Sequence, residues 1–173
     1  MIELRNILTE KDRDEAFAII EASVRALCFV DHGRDEETIQ LWLKSARPGL
    51  YAKHTIVAFI DQIMVGVASM DADGRVYLNY VDPAWVEQGV SKTLLDSLKD
   101  IATAEGLFRL ELISTAVARQ FYFKQGFVEI GTPQKGNGRT WNHRMMLELQ
   151  NGARFGAVEM RGPGMDAWES NAA

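Results

Sequence analysis

The stretch from Tyr80 to Leu95, YVDPAWVEQGVSKTLL, constrains the fold of this chain more than any other. An apolar run stops at Pro83, a short polar loop follows, and Gly89 stands before a segment in which Val90, Leu94, Leu95, Leu98, Ile101 and Ala102 recur at helical spacing. The spacing predicts a helix from Gly89 or Val90 to Glu105, ended by Gly106. A strand that feeds such a helix through a glycine makes an anion site. The first helical turn leaves backbone N–H groups unpaired, and the helix dipole adds partial positive charge there. The plainer reading is a strand-to-helix loop in which Gly89 only serves a tight turn. Ser91, Lys92 and Thr93 imitate the end of a nucleotide-hydrolase phosphate loop, but that motif needs glycine at the positions of Ser91 and Val86. A dinucleotide fingerprint should follow the first strand of a parallel unit, whereas three consecutive strand-like runs precede this helix.

Those runs are Ile56 to Ile60, Ile63 to Met70 and Val76 to Val81, separated by the turns Asp61-Gln62 and Asp71 to Gly74, and they predict an antiparallel meander. Upstream, Ile2 to Leu8 reads as a strand. Thr9 caps a helix that carries Ala16, Phe17, Ile20, Val24 and Leu27 inward. His32 to Arg34 breaks the pattern, and Glu36 to Lys44 is a shorter helix with Ile39, Trp42 and Leu43 on one face, closed by Pro48 and Gly49. Downstream, Phe108 to Ile113 is a strand, Ser114 and Thr115 cap a helix through Gln125, and Phe127 to Ile130 and Trp141 to Leu149 form a last strand pair around Gly136, Asn137 and Gly138. The order is α+β with one central sheet. Residues 1–149 form one domain, and 150–173 are a glycine-rich tail in which Phe155, Val158, Met160 and Trp168 could dock.

With 173 residues, 47% of them hydrophobic, the chain can bury a sizeable core without a disulfide or a structural metal. The net charge of −5 disfavours nucleic acid and other polyanions as partners. Cys28, the only cysteine, excludes an internal disulfide and reads as a packed small hydrophobe in a cytoplasmic protein. The charged N-terminus has no signal-peptide core, and no stretch approaches the roughly 18 apolar residues of a membrane span. His32, His54 and His143 are too scattered in sequence to suggest a metal site.

A second informative stretch is ISTAVARQFYFKQGF, Ile113 to Phe127. Together the two stretches resemble the GCN5-related N-acetyltransferase (GNAT) family. Its members carry a V-x-P, then Gln/Arg-x-x-Gly-x-Gly/Ala at a leucine-rich helix, then Ala-x-x-Phe-Tyr-x-Lys-x-Gly-Phe. Ala118, Phe121, Tyr122, Lys124, Gly126 and Phe127 match the latter; of the former, Gly89 is kept while Val86 and Ser91 depart. The resemblance covers Ile2 to Leu149. It implies a mostly antiparallel sheet splayed between strands 4 and 5, flanked by about four helices, and an acetyl-CoA-dependent N-acetyltransferase acting on a primary amine of a small molecule, amino acid derivative or peptide.

The same resemblance assigns roles. Backbone groups at Tyr80 and Val81 would bind the thioester and pantetheine. The N–H groups of Gln88, Gly89, Val90, Ser91, Lys92 and Thr93 would hold the pyrophosphate, with Lys92 as a charge partner. Thr115, Ala118 and Phe121 would complete the coenzyme site, and Tyr122 would be the general acid for the leaving thiolate. A base is needed as well, because an alkylamine with pKa about 10.4 is neutral in only about one molecule per few thousand at pH 7. Asp71, Asp73, Asn79, Tyr80 and Glu111 are the nearby candidates, although Asp71 and Asp73 read first as turn formers and Glu111 as the partner of a lysine. The front half walls the acceptor pocket in the family, so Phe29, His32, Trp42 and Asn79 are the expected substrate contacts, against plain core or loop roles for Trp42 and His32. The departures at Val86, Ser91 and Thr115 motivate an alternative: a non-catalytic acyl-CoA-binding or protein-interaction module. A homodimer through the last strands or the tail is a further expectation.

Overall fold

A computed structural model of the chain describes residues 1–136 and 141–149, apart from the side chains of Phe29, Val30 and Trp141. The turn residues Asn137 and Gly138 and the tail from Gln150 onward lie outside the described residues.

The chain begins with an edge strand, β1 (Glu3–Asn6), and then α1 (Glu10–Leu27). The start of α1 is fixed by a reciprocal cap: the Thr9 hydroxyl accepts from the Asp12 N–H at 3.1 Å, and the Asp12 carboxylate accepts from the Thr9 N–H at 2.8 Å. Where the sequence reads only a break, there is a single helical turn, α2 (Phe29–His32), and the reversal follows at Gly33 and Arg34, both with positive φ. α3 (Glu36–Ala46) runs into a 3-10 turn at Arg47–Tyr51.

The meander is β2 (His54–Ile60), β3 (Ile63–Met70) and β4 (Arg75–Val81), all antiparallel. β4 leads through a 3-10 turn, Pro83–Trp85, into α4 (Val90–Ala104). Gly106 ends α4 as expected, at φ +75°, with the Leu107 N–H reaching back to the Ala102 carbonyl at 2.9 Å. Then come β5 (Arg109–Ser114), α5 (Arg119–Lys124), β6 (Val128–Glu129), β7 (Gln134–Lys135) and β8 (Trp141–Glu148). The sheet order is β1-β2-β3-β4-β5-β8-β6, with β7 on β8, so β8 inserts between β5 and β6. Among the described residues only β4 and β5 pair in parallel.

The sheet is packed on both faces. On one, Ile56, Ala58, Val65, Ala68, Val76 and Val81 meet Val90, Leu94, Leu95 and Leu98 of α4. On the other, Val57, Met64, Val67 and Leu78 meet Ile20 and Val24 of α1 and Ile39 and Leu43 of α3. Burial on both sides explains why β2 and β3 read as continuous apolar runs rather than alternating ones. Leu94, Leu95 and Leu98 are wholly buried, and each contributes about 1.5–3 kcal/mol relative to an exposed position. Gly66 lets α4 come close, since a Cβ there would stand 3.0 Å from Leu94 Cδ1, Val90 Cγ1 and the Tyr80 carbonyl oxygen.

The helix expected from Ser114 or Thr115 is shorter, starting at Arg119. Residues 115–118 form a turn instead, held from across the sheet. The Asp31 carboxylate, almost fully buried, accepts from the N–H groups of Ala116 at 2.9 Å and Val117 at 3.3 Å. No short-range pattern announces that clamp, because its partners are more than eighty residues apart. Among the described residues no helix is long and apolar enough to cross a membrane.

Candidate active site

The parallel pairing of β4 with β5 lasts for two residue pairs, Arg75 with Glu111 and Val76 with Leu112. Beyond them the strands part. Tyr77, Asn79, Tyr80 and Val81 and Ile113 to Thr115 then border a cleft of about 600 Å³, which residues of α4 and α5 line together with residues of α1 and α3.

At one end lies the mouth of α4. Gly89 sits at φ +82°, and no side chain caps the helix. Thr93 is bonded inside the helix, its N–H to the Gly89 carbonyl at 2.9 Å and its hydroxyl to the same oxygen at 3.1 Å. The N–H groups of Gly89 to Lys92 therefore have no acceptor within the helix. A Cβ on Gly89 would meet nothing within 4 Å, so the space over the turn is open. Gly89, Val90, Ser91 and Lys92 line the cleft, whereas Gln88 and Thr93 do not. The Lys92 ammonium is paired with Asp96 one turn on, in an exposed ion pair.

Tyr122 reaches the cleft from α5, buried between Phe121 and Phe127 at ring-centroid distances of 5.1 and 5.5 Å. Burial pushes its hydroxyl up to about 12, with the Asn79 amide pulling the other way. The Asn79 side chain donates to the Ser91 carbonyl at 3.4 Å, and its amide oxygen is buried without a partner. Thr115, Ala118 and Phe121 line the same stretch, and the Thr115 hydroxyl accepts from the Ala118 N–H at 3.3 Å.

The other end lies on the α1–α3 face. Trp42 and Tyr80 form it together, the indole N–H donating to the Tyr80 hydroxyl at 2.9 Å. Burial raises the Tyr80 phenol well above its ordinary range. Ser23, Leu27 and Cys28 complete this wall. None was expected there from sequence, although Ser23 and Leu27 stand one helical turn apart on the stripe that α1 presents inward. Burial, reinforced by the nearby Asp31 carboxylate, pushes the Cys28 thiol up to about 12, so it stays a thiol rather than a nucleophilic thiolate. Trp85 and Val86 also border the cleft.

One expected substrate contact, His32, is not brought to this wall. His32 is fully buried and does not line the cleft; its Nε2 meets the Val24 carbonyl at 2.9 Å and its Nδ1 accepts from the Arg34 N–H at 2.9 Å. Both ring nitrogens are thus committed to main chain, which fixes the turn out of α1 in place of meeting a substrate. Phe29 begins α2, and its side chain lies outside what is described.

The base candidates resolve similarly. Asp71 and Asp73 build the β3–β4 turn, accepting from the N–H groups of Lys53 at 3.2 Å and Arg75 at 3.1 Å. Glu111 pairs with Arg109 and Arg144 rather than with a lysine.

Residues 42–149 match the family model described as the acetyltransferase (GNAT) domain. Among solved structures, the chain is similar to a GCN5-related N-acetyltransferase from Rhodopseudomonas palustris, at 29% identity over 85% of this chain and 95% of that one, with a TM-score of 0.74. It is also similar in fold to the PaiA N-acetyltransferase of Thermoplasma acidophilum in complex with coenzyme A, at 20% identity over 86% of this chain and 99% of that one, TM-score 0.67. The ribosomal-protein-S18-alanine N-acetyltransferase of Escherichia coli shares the fold at 21% identity over 91% of this chain and 99% of that one, TM-score 0.63. No curated protein matches the chain.

Proposed function

Since the chain belongs to the GNAT family and is an acetyltransferase, we propose that it moves the acetyl group of acetyl-CoA to a primary amine of a small molecule, amino acid derivative or peptide. The observation that carries this reading is the splay of β4 from β5, which brings the uncapped mouth of α4 and the Tyr122 hydroxyl to one cleft. The donor set suits a diphosphate: four main-chain N–H groups at the positive end of a helix, under open space. Acetyl-CoA would supply the activated thioester.

The chain's own residues then divide the work. Gly89 to Lys92 hold the anionic part, and the edges of β4 and β5 freed by the splay offer main-chain partners to an amide-bearing arm. Tyr122, a phenol that stays protonated at neutral pH, donates its proton to the departing thiolate, a step worth about 10²- to 10⁴-fold. Cys28 remains protonated, which favours direct transfer between the two substrates over an acyl-cysteine route.

The departures at Val86, Ser91 and Thr115 favour one rival, a module that binds acyl-CoA without turnover. Titration calorimetry with acetyl-CoA, followed by a thiol-release assay against an amine panel, decides. Binding with amine-dependent thiol release is expected. No heat at millimolar ligand would sink the coenzyme assignment, and binding without release would leave the rival.

A further inference from the structure

The α1–α3 end of the cleft has a chemical character that the α4 end lacks. Its walls are Leu27, Cys28, Trp42 and Tyr80, with Ser23 between them. No side chain in this set is ionised at neutral pH, where a thiol and a phenol are ordinarily protonated, and burial moves the Cys28 thiol and the Tyr80 phenol further from ionisation. The charged residues lining the cleft among the described residues, Glu87, Lys92 and Lys124, are exposed and belong to α4, its leading loop and α5. The ionisable groups of the turn next to Cys28 are engaged elsewhere: Asp31 accepts from two main-chain N–H groups, and both nitrogens of His32 are bonded to main chain.

An alkylammonium entering this end would shed water against a neutral wall and find neither a counter-ion nor a base among the described side chains. The face of Trp42 could attract it, but a cation–π contact leaves the nitrogen protonated and without its lone pair. A weakly basic amine has neither difficulty. Its nitrogen is largely neutral in solution, and a flat apolar body can lie along Leu27 and the indole.

We propose that the acceptor is a weakly basic amine on an aromatic body, an arylamine or an aryl-bearing α-amino amide, which enters the cleft uncharged. This rests on the acetyl-transfer reading above. The nitrogen lone pair forms the new N–C bond to the acetyl carbon, the C–S electron pair stays on sulfur, and sulfur takes the Tyr122 proton. The nitrogen loses one proton to water, and water restores the phenol, so the products are the acetamide and the free thiol.

The test compares kcat/KM, at saturating acetyl-CoA, for 4-methylaniline, phenylalanine amide, 2-phenylethylamine and 1,4-diaminobutane between pH 7 and 9. At pH 7 the first two should exceed 2-phenylethylamine by about 10²-fold, following the neutral fraction of each amine, with the diamine slowest. For 2-phenylethylamine, kcat/KM should rise about tenfold per pH unit, while for 4-methylaniline it should stay flat. Trp42→Ala should lower kcat/KM for the aryl acceptors about tenfold and leave the dissociation constant of acetyl-CoA unchanged. A pH-independent rate with 2-phenylethylamine, or a preference for the diamine, would overturn the acceptor class and leave the transferase reading standing. Acetyl-CoA binding with no acetylation of any of the four, or of a broader amine panel, would remove both.

Discussion

The two ends of the cleft are built from different material. At the α4 end the groups that face it are largely main chain: N–H donors of a helical turn, a glycine at φ +82°, and strand edges freed where β4 leaves β5. At the α1–α3 end they are side chains, Leu27, Cys28, Trp42 and Tyr80, supplied by two helices, the residue that follows α1, and a strand far apart in the sequence. A main-chain site tolerates substitution, because any residue but proline donates the same N–H. That is how Ser91 can stand in the first turn of α4 without removing a main-chain donor, whereas Val86 carries no side-chain donor where the family has Gln or Arg. A side-chain site has no such latitude, and each replacement alters its chemistry.

Three substitutions sharpen or break that contrast. The largest effect is expected at Tyr122, a side chain at the main-chain end. Tyr122→Phe should reduce turnover about 10²-fold or more while the dissociation constant of acetyl-CoA stays within about twofold. Equal losses in rate and affinity would mean that the ring merely packs. Because burial raises this phenol to about 12, the wild-type rate should show no decline from loss of the acid below about pH 11; a descending limb near neutrality would assign the proton to another group.

Asp31 belongs to neither end and ties them together, reaching from α2 to the turn before α5. Asp31→Asn leaves the buried side chain one acceptor oxygen for two N–H groups and turns the amide's donor on the other, and should lower stability by about 1–3 kcal/mol in urea denaturation. An unchanged midpoint would show that water replaces the lost acceptor and that the clamp is dispensable. The smallest effect is expected at Gly89. Gly89→Ala meets no neighbour, so its cost is the left-handed backbone alone, about 1–2 kcal/mol of stability. Acetyl-CoA affinity should weaken with it while the KM for the amine does not move. A shift in the amine KM instead would erase the division between the ends.

Much of the α4 end was legible beforehand. Val90, Leu94, Leu95 and Leu98 at helical spacing behind Gly89 mark a helix start within a residue, and the expectation of an anion site there rests on that start. Tyr122 and its aromatic neighbours came from the resemblance of Ile113–Phe127 to a family pattern, not from periodicity. Of the expected donors, the Thr93 N–H is the first one spent inside the helix, and Gln88 does not line the cleft. The α1–α3 end was mostly illegible. Trp42 and Tyr80 could be listed but not joined, since their hydrogen bond spans 38 residues. Cys28 looked like interior packing, and His32 looked like a loop residue although main chain engages both its nitrogens.

By itself the sequence determined the order of strands and helices, the α4 mouth and the mixed architecture, because periodicity, caps and turn residues act between positions a few residues apart. Tertiary structure alone decided where β4 leaves β5, that β8 enters between β5 and β6, that a buried aspartate on α2 holds the turn before α5, and that Leu27, Cys28, Trp42 and Tyr80 meet in one wall of the cleft. Each of these depends on which distant segments exclude water together, and a chain read in one dimension holds no record of that.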